Sequence, residues 1–481
     1  MQLKKALTEI SGLRYMVDRL DLKSGLGHRM LLASPFLVNP EDVQYHLQQV
    51  NQTVNALKVE QSRAILDKVT IKISHVRDII GTIKNIQNQL TLNDIELFEV
   101  KSFALIANDI RTLVKPIQFI WEQLPNLEEV IEILDPEGAR IPSFYINNSF
   151  APELGPLRKK QIGLEFLLED SEGDTNNEES ALLQQQSDEL RNKITEIEDR
   201  VRQDLSDKLF NFAPALHKAL TVVGNIDILI TKAKQAISEK LVMPKVKGDI
   251  TSYQGLFYPQ LKATLEQDKK RYQPIDIDIY KGTCLITGAN MAGKTVLLKT
   301  LALSQALCQY GFFVPATSAK IVLVEQILFS IADEQSELSG LSSYASEMLK
   351  VNNIVQLGKK QKRLLVLIDE LARTTNPTEG RAIVSAVANI MDGCNVRAVI
   401  TTHYSGLTTQ CRKLRVKGFM EKSKDASITV ENIGEYIDYS LVEDDGSTVP
   451  HEALRIAQIL GIDADILSEA SKELDIGKDI N

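Results

Sequence analysis

The spacing of apolar residues divides the chain into two unlike halves near residue 250. In the first half, apolar positions recur every three or four residues over stretches without proline or glycine, which predicts long helices. The clearest members of these stretches are Leu97, Val100, Phe103, Ala104 and Ile110, followed by Leu190, Ile194, Ile197 and Val201. Between them, the prolines and glycines of residues 133–156 predict loops and short extended pieces.

The second half has short apolar runs that alternate with helical patterns. The runs cover residues 284–287, 321–324, 364–368 and 396–401. This alternation predicts a largely parallel sheet covered by helices. The predicted domains are therefore a helical one over residues 1–250 and an α/β one over residues 251–481.

Composition places the chain among ordinary globular proteins, because 43% of its 481 residues are apolar and 25% are charged. No uninterrupted apolar run is long enough to predict a membrane span. The cysteines are scattered without paired spacing, which argues against a disulfide framework or a zinc site and favours the cytoplasm. They are Cys284, Cys308, Cys394 and Cys411.

Charge adds one local feature to an acidic total. The formal net charge of -9 is a mild argument against strong non-specific binding of nucleic acid. Residues 161–180 hold seven acidic residues and no basic one. This segment is typical of a solvated loop or the tip of a helical hairpin.

A glycine-rich segment indicates a phosphate-binding site. The motif fits G-x-x-x-x-G-K-[ST], follows an apolar run and opens a helical pattern over about residues 295–310. In such a loop the backbone N–H groups surround phosphate oxygens, the lysine reaches the β- and γ-phosphates, and the threonine ligates Mg²⁺. The predicted residues are Gly288, Ala289, Asn290, Met291, Ala292, Gly293, Lys294 and Thr295. The alternative is a chance match in a structural loop.

Polar residues follow two other apolar runs. Asp369 and Glu370 end the run at residues 364–368, and His403 follows the run at 396–401. Ligands gather at the carboxyl ends of parallel strands. We therefore expect Asp369 to hold the metal through water, Glu370 to polarise the attacking water, and His403 to contact the γ-phosphate. The alternatives are that the two carboxylates cap the next helix and that His403 is structural.

Four stretches together resemble a known family. In order, ITGANMAGKT, GFFVPA, LIDELARTTNPTEG and ITTHYSGL are similar to the ATPase domain of the MutS DNA mismatch-repair family, an ABC-type ATPase. The resemblance implies an α-helical core and lever domain followed by an α/β P-loop ATPase domain. It also implies Mg²⁺-dependent hydrolysis of ATP, with Lys294, Glu370 and His403 as catalytic residues.

The same resemblance implies two further contacts with nucleotide. Tyr272 takes the place of an aromatic residue that stacks on adenine, with a buried packing tyrosine as the alternative. The segment from Ser339 to Ser343, with Ser342 as the chosen residue, is similar to a signature that contacts the γ-phosphate of the opposite subunit. An ordinary helix cap is the alternative there. A homodimer through the ATPase domain follows, and residues 373–375 match a turn at its seam.

In the first half the resemblance is looser. Residues 20–29 look like the start of the helical core, and residues 225–227 look like the return of the lever helix. The family's mismatch-reading domain and its connector have no counterpart. The DNA-gripping clamp is reduced to residues 134–156 and the acidic stretch up to about residue 180.

Two functions are compatible with this pattern. The first is a MutS-like ATPase that couples ATP hydrolysis to the binding of duplex or branched DNA, as in mismatch repair. The second is an ATP-dependent protein-remodelling factor that reactivates an adenosylcobalamin-dependent aminomutase, with a protein client instead of DNA. The chain resembles truncated MutS-like proteins of that second kind.

Overall fold

The computed structural model describes residues 1–117, 123–171, 177–288, 292–330, 343–360, 362–373, 375–404, 406–420, 432–444, 452–459 and 461–476. The helices are α1 Leu3–Glu9, α2 Leu13–Asp18, α3 Gly25–Ala33, α4 Pro40–Lys58, α5 Glu60–Ile73, α6 Ile80–Gln87, α7 Asp94–Val114, α8 Glu128–Leu134, α9 Leu154–Ser171, α10 Asn177–Phe210, α11 Ala213–Ser238, α12 Pro259–Gln267, α13 Lys294–Gln309, α14 Ser343–Lys359, α15 Pro377–Asp392, α16 Glu452–Ile459 and α17 Ala464–Ile476. The strands are β1 Thr251–Leu256, β2 Ile275–Ile279, β3 Gly282–Thr287, β4 Ser318–Lys320, β5 Gln326–Ser330, β6 Leu364–Ile368, β7 Val396–Thr402, β8 Arg412–Phe419 and β9 Ile437–Glu443.

The chain forms two compact units. One, the α/β unit, combines Met1–Leu20, Ala33–Asn51 and Lys232–Asn481. The other, the helical unit, combines Asp21–Leu32 and Gln52–Thr231. This division differs from a single boundary near residue 250, because the N-terminal helices pack in the α/β unit. Within that unit, for example, the Leu37 N–H donates to the Gln309 carbonyl oxygen over 2.9 Å.

The helical unit confirms the helices predicted from apolar spacing. The predicted apolar positions of α7 are buried along one side of that helix. A capping box starts the helix, since the Asn93 side chain accepts from the Glu96 N–H and Glu96 accepts from the Asn93 N–H. In α10, Ile194, Ile197 and Val201 pack against a small cluster from the irregular segment between α8 and α9.

The acidic segment belongs to a helical hairpin in its described part. Helices α9 and α10 run antiparallel, since Arg158 donates to Glu198 over 2.7 Å and Gln161 donates to Ser187 over 2.9 Å. The outer side of α9 exposes Ile162, Phe166 and Leu167. The interpretation of this stretch as part of a hairpin is consistent with these contacts.

The largest sheet has six strands in the order β5-β6-β7-β3-β8-β9. Every neighbouring pair from β5 to β8 is parallel, and only β9 pairs antiparallel with β8. The prediction of a largely parallel sheet is thus confirmed. A second, antiparallel sheet of three strands, β2-β1-β4, was not predicted.

One predicted strand is wrong. Residues 321–324 form no strand, although Ile321, Leu323 and Val324 are buried, and the strand beside β6 is β5, which begins at Gln326. In this segment, side chains form the hydrogen bonds that a neighbouring strand would otherwise make to the backbone. Gln309 bonds both backbone groups of Val324, and Gln305 donates to the Val322 carbonyl oxygen over 3.1 Å. Apolar composition alone does not distinguish these two ways of satisfying a buried backbone.

Helices cover both faces of the large sheet. Leu364, Val366 and Ile368 join a core cluster with residues of α14 and α15. Leu365 and Leu367 point to the other face and are buried as well. Helix α13 contacts β5, β6 and β7. This sandwich leaves the carboxyl ends of β3, β6 and β7 at one edge.

A buried lysine fixes the C-terminal end of α13. Lys232 donates to the carbonyl oxygen of Tyr310 over 2.7 Å, and its ammonium lies 3.9 Å from the centre of the Phe312 ring. Burial lowers the pKa of Lys232 to about 7. A cation at this end of a helix interacts favourably with the helix dipole.

Among the described helices, only α11 is long and apolar enough to cross a membrane. However, 61% of its apolar window is buried inside the protein, as in the core helix of a folded domain.

The two first-half segments singled out by resemblance meet inside the helical unit. The buried Asp227 carboxylate accepts from the Lys23 N–H over 3.1 Å, and from the Ser24 N–H over 2.9 Å. It also accepts from the Ser24 hydroxyl over 2.6 Å, and that hydroxyl accepts from the Gly27 N–H. Asp227 therefore anchors the start of α3.

We predict that Asp227→Ala destabilises the protein by about 2–3 kcal/mol, because it leaves buried donors without an acceptor. The measurement is the urea and thermal unfolding midpoint of the full chain. Asp204→Ala is the matched control. It removes an exposed pair with Lys208 on α10, and its effect should stay within about 0.5 kcal/mol. Equal midpoints for the two variants would contradict this role of Asp227.

Candidate functional site

The glycine-rich loop leads directly from β3 into α13. Gly288 has φ 149° and Gly293, the residue before the helix, has φ 74°, which are conformations that favour glycine. A side chain at Gly293 would also meet the Tyr439 ring at 3.2 Å. In the described residues no side chain caps the start of α13, so its first N–H groups suit an anion.

The loop lysine lies against its own loop. Lys294 is 4% exposed, and its ammonium donates to the Gly288 carbonyl oxygen over 2.6 Å. Ala292 is buried beside it. The predicted residues Ala289, Asn290 and Met291 lie outside the described residues. The ammonium of Lys294 thus lies at the place where the motif predicts that phosphate binds.

Two threonine hydroxyls hold the first strand-end carboxylate. The Thr295 hydroxyl donates to Asp369 Oδ2 over 2.6 Å, and the Thr401 hydroxyl donates to Asp369 Oδ1 over 2.5 Å. The Asp369 N–H donates to the carbonyl oxygen of Ser330 at the end of β5 over 2.9 Å. The structure therefore brings the two predicted metal ligands, Thr295 and Asp369, together.

Glu370 opens a sharp turn after β6. Its N–H donates to the Thr401 hydroxyl over 2.9 Å, and its carboxylate forms an ion pair with Arg373 over 2.6 Å. The backbone angle φ is 46° at Glu370, a left-handed conformation that costs a non-glycine residue about 1–2 kcal/mol. Such outliers persist when surrounding contacts hold them and cluster at functional sites.

The structure excludes the interpretation of the two carboxylates as helix caps. The next helix, α15, begins at Pro377, and its cap is Asn376, whose side chain accepts from the Thr378 N–H over 2.9 Å.

His403 follows the buried end of β7 and lies at the surface. Partial desolvation lowers the pKa of its ring from 6.5, and the positive charges of Lys294 and Arg373 lower it further. The Glu370 carboxylate acts in the opposite direction. The charges of Lys294 and Glu370 therefore influence the His403 ring, and its contact with the γ-phosphate stays a prediction.

The structure tests neither of the two remaining predicted nucleotide contacts, Tyr272 and Ser342. The Tyr272 hydroxyl accepts from the Tyr258 N–H over 2.9 Å, which fixes the ring at one end. Its neighbour Gln273 donates to Asp438 over 2.8 Å and to Ser440 over 3.1 Å on β9. Stacking of Tyr272 on adenine stays a prediction. Ser342 lies outside the described residues.

Sequence reasoning missed two residues of this site. Thr401 lies in the stretch ITTHYSGL but is not among the predicted site residues, although its hydroxyl contacts both Asp369 and Glu370. Tyr439, whose ring packs on Gly293, comes from the last strand of the sheet. Both contacts depend on strand order, which the local pattern does not specify.

The fold and the site define a protein with a helical unit and an α/β unit, in which a glycine-rich loop meets a strand-end carboxylate. Comparison with known proteins supports membership of the MutS family for the α/β part of this chain. Its residues 284–476 match the family model for MutS domain V.

Individual relatives agree with this assignment. The chain is 30% identical to Endonuclease MutS2 of Clostridium tetani over 310 residues, which are 62% of this chain and 36% of the relative. It is 26% identical to the DNA mismatch repair protein MutS of Aquifex pyrophilus over 440 residues, 87% of this chain and 49% of the relative. It is 33% identical to Endonuclease MutS2 of Caldanaerobacter subterraneus over 253 residues, 50% of this chain and 30% of the relative. The chain thus spans from about a third to a half of the length of these relatives.

We predict that the imidazole of His403 titrates below pH 6.5 and that Glu370→Gln lowers this midpoint further, because the carboxylate favours the charged ring. The measurement is an NMR titration of the histidine ring signals, assigned with His403→Gln. Glu379→Gln, an exposed change in the first turn of α15, is the control and should leave the midpoint unchanged. A midpoint above pH 6.5, or a rise in Glu370→Gln, would refute this electrostatic arrangement.

Proposed function

We propose that the α/β unit binds ATP with Mg²⁺ and hydrolyses it to ADP and phosphate. The observation that carries this proposal is the 2.6 Å hydrogen bond between the Thr295 hydroxyl and the Asp369 carboxylate. It joins the first turn of the glycine-loop helix to the end of β6. A hydroxyl and a carboxylate at one point provide the hard oxygen ligands that Mg²⁺ prefers.

The phosphates would lie along the loop. The N–H groups at the start of α13 would donate to phosphate oxygens, and the Lys294 ammonium would exchange the Gly288 carbonyl for the β- and γ-phosphates. Thr295 would hold Mg²⁺ directly and Asp369 through water. The metal would neutralise charge that develops on the phosphates.

The strand-end residues would act on the attacking water. Glu370 would accept its proton, with the Arg373 guanidinium keeping the carboxylate oriented. Since the pKa of His403 is lowered, its ring is neutral at neutral pH and can donate an N–H to a γ-phosphate oxygen. Tyr272 is the proposed adenine contact, and Ser342 the proposed contact from a partner subunit in a homodimer.

We expect Lys294→Ala to lose nucleotide binding, because it removes the cation of the loop. Glu370→Gln should bind ATP but turn over at least about a hundredfold more slowly, the scale of losing a general base. The measurements are equilibrium binding of a fluorescent ATP analogue and steady-state release of phosphate. Lys299→Ala, on the same helix, and Glu379→Gln are the matched controls. Normal turnover in Glu370→Gln would assign the base to another residue.

The second part of the proposal concerns the partner. We infer that hydrolysis in a cytoplasmic homodimer is coupled to duplex or branched DNA. Support comes from the names of the relatives, which are a mismatch repair protein and endonucleases. The mismatch repair protein aligns with 87% of this chain. The helical unit, which the resemblance equates with core and levers, would contact the DNA.

We predict that DNA stimulates the ATPase activity several-fold at low salt. The stimulation should fade between about 50 mM and 200 mM salt, because phosphate contacts release counterions. The measurement compares turnover without DNA and with duplex, mismatched or branched DNA. Lys294→Ala is the background control. Unchanged turnover with every DNA at low salt would refute the coupling.

One observation favours a second candidate, an ATPase that remodels a protein. Helix α9 and the start of α10 hold the described part of the segment with seven acidic and no basic residues, and this negative charge repels a phosphate backbone. The outer side of α9 exposes apolar residues, and Phe166 is 68% exposed. If DNA leaves turnover unchanged, ATP-dependent capture of a client by the Glu370→Gln variant would support this candidate.

A further inference from the structure

The turn at residues 369–373 holds a second residue in an unfavourable conformation. Ala372 has φ 59°, so two non-glycine residues of this turn, Glu370 and Ala372, adopt left-handed angles. Because side chains rarely adopt these angles, the surrounding contacts must hold them. Ala372 is completely buried, which indicates that such contacts come from neighbouring elements.

Both backbone groups of Ala372 are bonded to side chains from other elements. Its N–H donates to Glu347 Oε1 over 2.8 Å, and its carbonyl oxygen accepts from the Tyr404 hydroxyl over 2.8 Å. Glu347 lies one turn into α14, and Tyr404 follows β7. Helix and sheet thus meet at a single residue two positions after Glu370.

The surroundings of these two side chains are specific. Tyr404 is buried, and a side chain on Gly380 of α15 would clash with its hydroxyl oxygen. Desolvation raises the pKa of Glu347, and the Ala372 N–H acts in the opposite direction. Partial burial of the Glu347 carboxylate costs free energy, and the hydrogen bond from the Ala372 N–H offsets part of this cost.

We propose that Glu347 and Tyr404 are positioning residues that hold the 369–373 turn in the conformation that directs Glu370. Their role rests on the proposed ATPase function, in which Glu370 is the base. They act through Ala372 and do not touch the reacting atoms. On the other side of the turn, the Thr401 hydroxyl holds the Glu370 N–H.

The first test separates positioning from nucleotide binding. Glu347→Ala and Tyr404→Phe should each lower kcat for ATP at least about tenfold, because small displacements of a catalytic group are costly. The KM for ATP and the affinity for a fluorescent nucleotide should stay within about twofold. Glu347→Gln should retain most of kcat, since its amide oxygen still accepts from Ala372. Glu379→Ala and Tyr280→Phe, at exposed positions, are the matched controls.

A second-site change tests the physical cause. Glycine adopts the angle of Ala372 without help, so Glu347→Ala should lower kcat less in an Ala372→Gly background than in the parent chain. An equal loss in both backgrounds would overturn the proposal. So would an unchanged kcat in Glu347→Ala and Tyr404→Phe, or a loss of kcat matched by losses of nucleotide affinity and thermal midpoint.

Hydrogen exchange provides a readout that needs no turnover. Amide exchange across residues 369–373 should be faster in Glu347→Ala and Tyr404→Phe than in the parent chain, with exchange in β6 unchanged. Unchanged exchange in the turn would overturn the proposal. If the parent chain hydrolyses no ATP, the proposed function fails, and the exchange result still decides whether these residues hold the turn.

Discussion

The hydrogen bonds between Asp369 and two threonines fix the point where the glycine loop meets the large sheet. Thr295 comes from the start of α13 and Thr401 from the end of β7, and each donates to a different carboxylate oxygen. Thr401 is completely buried, so its bond forms in a region of low polarity where hydrogen bonds are strong. A shift of α13 along the sheet would break the hydrogen bond between Thr295 and Asp369 and alter the conformation of the glycine-rich loop.

The Thr401 hydroxyl also links the two carboxylate residues to each other. It donates to Asp369 and accepts from the Glu370 N–H, so one oxygen atom fixes both the side chain and the following peptide. The other end of α13 is held by Lys232, which binds the carbonyl groups of Tyr310 and Gly311. The helix that begins at the loop is therefore restrained at both ends by polar contacts as well as by its apolar contacts with the sheet.

Local patterns predicted those parts of the fold that depend on local physics. Apolar spacing was sufficient for α7 and α10, and continuous apolar runs were sufficient for β3, β6 and β7. The prediction of a strand at residues 321–324 was wrong, because the backbone there is satisfied by the side chains of Gln305 and Gln309 on the preceding helix α13. Thr401 and Tyr439 are not among the predicted site residues, and their place in the site follows from strand order. Asp227 lies in a stretch that only the family resemblance singled out. Its contact with Ser24 was not predicted, because the two residues are 203 positions apart in the sequence. The site was thus predictable where an ionisable residue follows a strand end, and not where a contact arises through tertiary packing.

Both units are assembled from segments that are far apart in the chain, and this sets an order of events during synthesis. Ser24 and Asp227 are separated by 203 positions, and Leu37 and Gln309 by 272. At about 5–20 residues per second, a ribosome needs about 10–40 s to span the first of these separations. During that time the start of α3 waits without its anchor. The apolar side chains of the early helices stay exposed until Asp227 is made, and a slow stretch of codons before it would prolong this exposure.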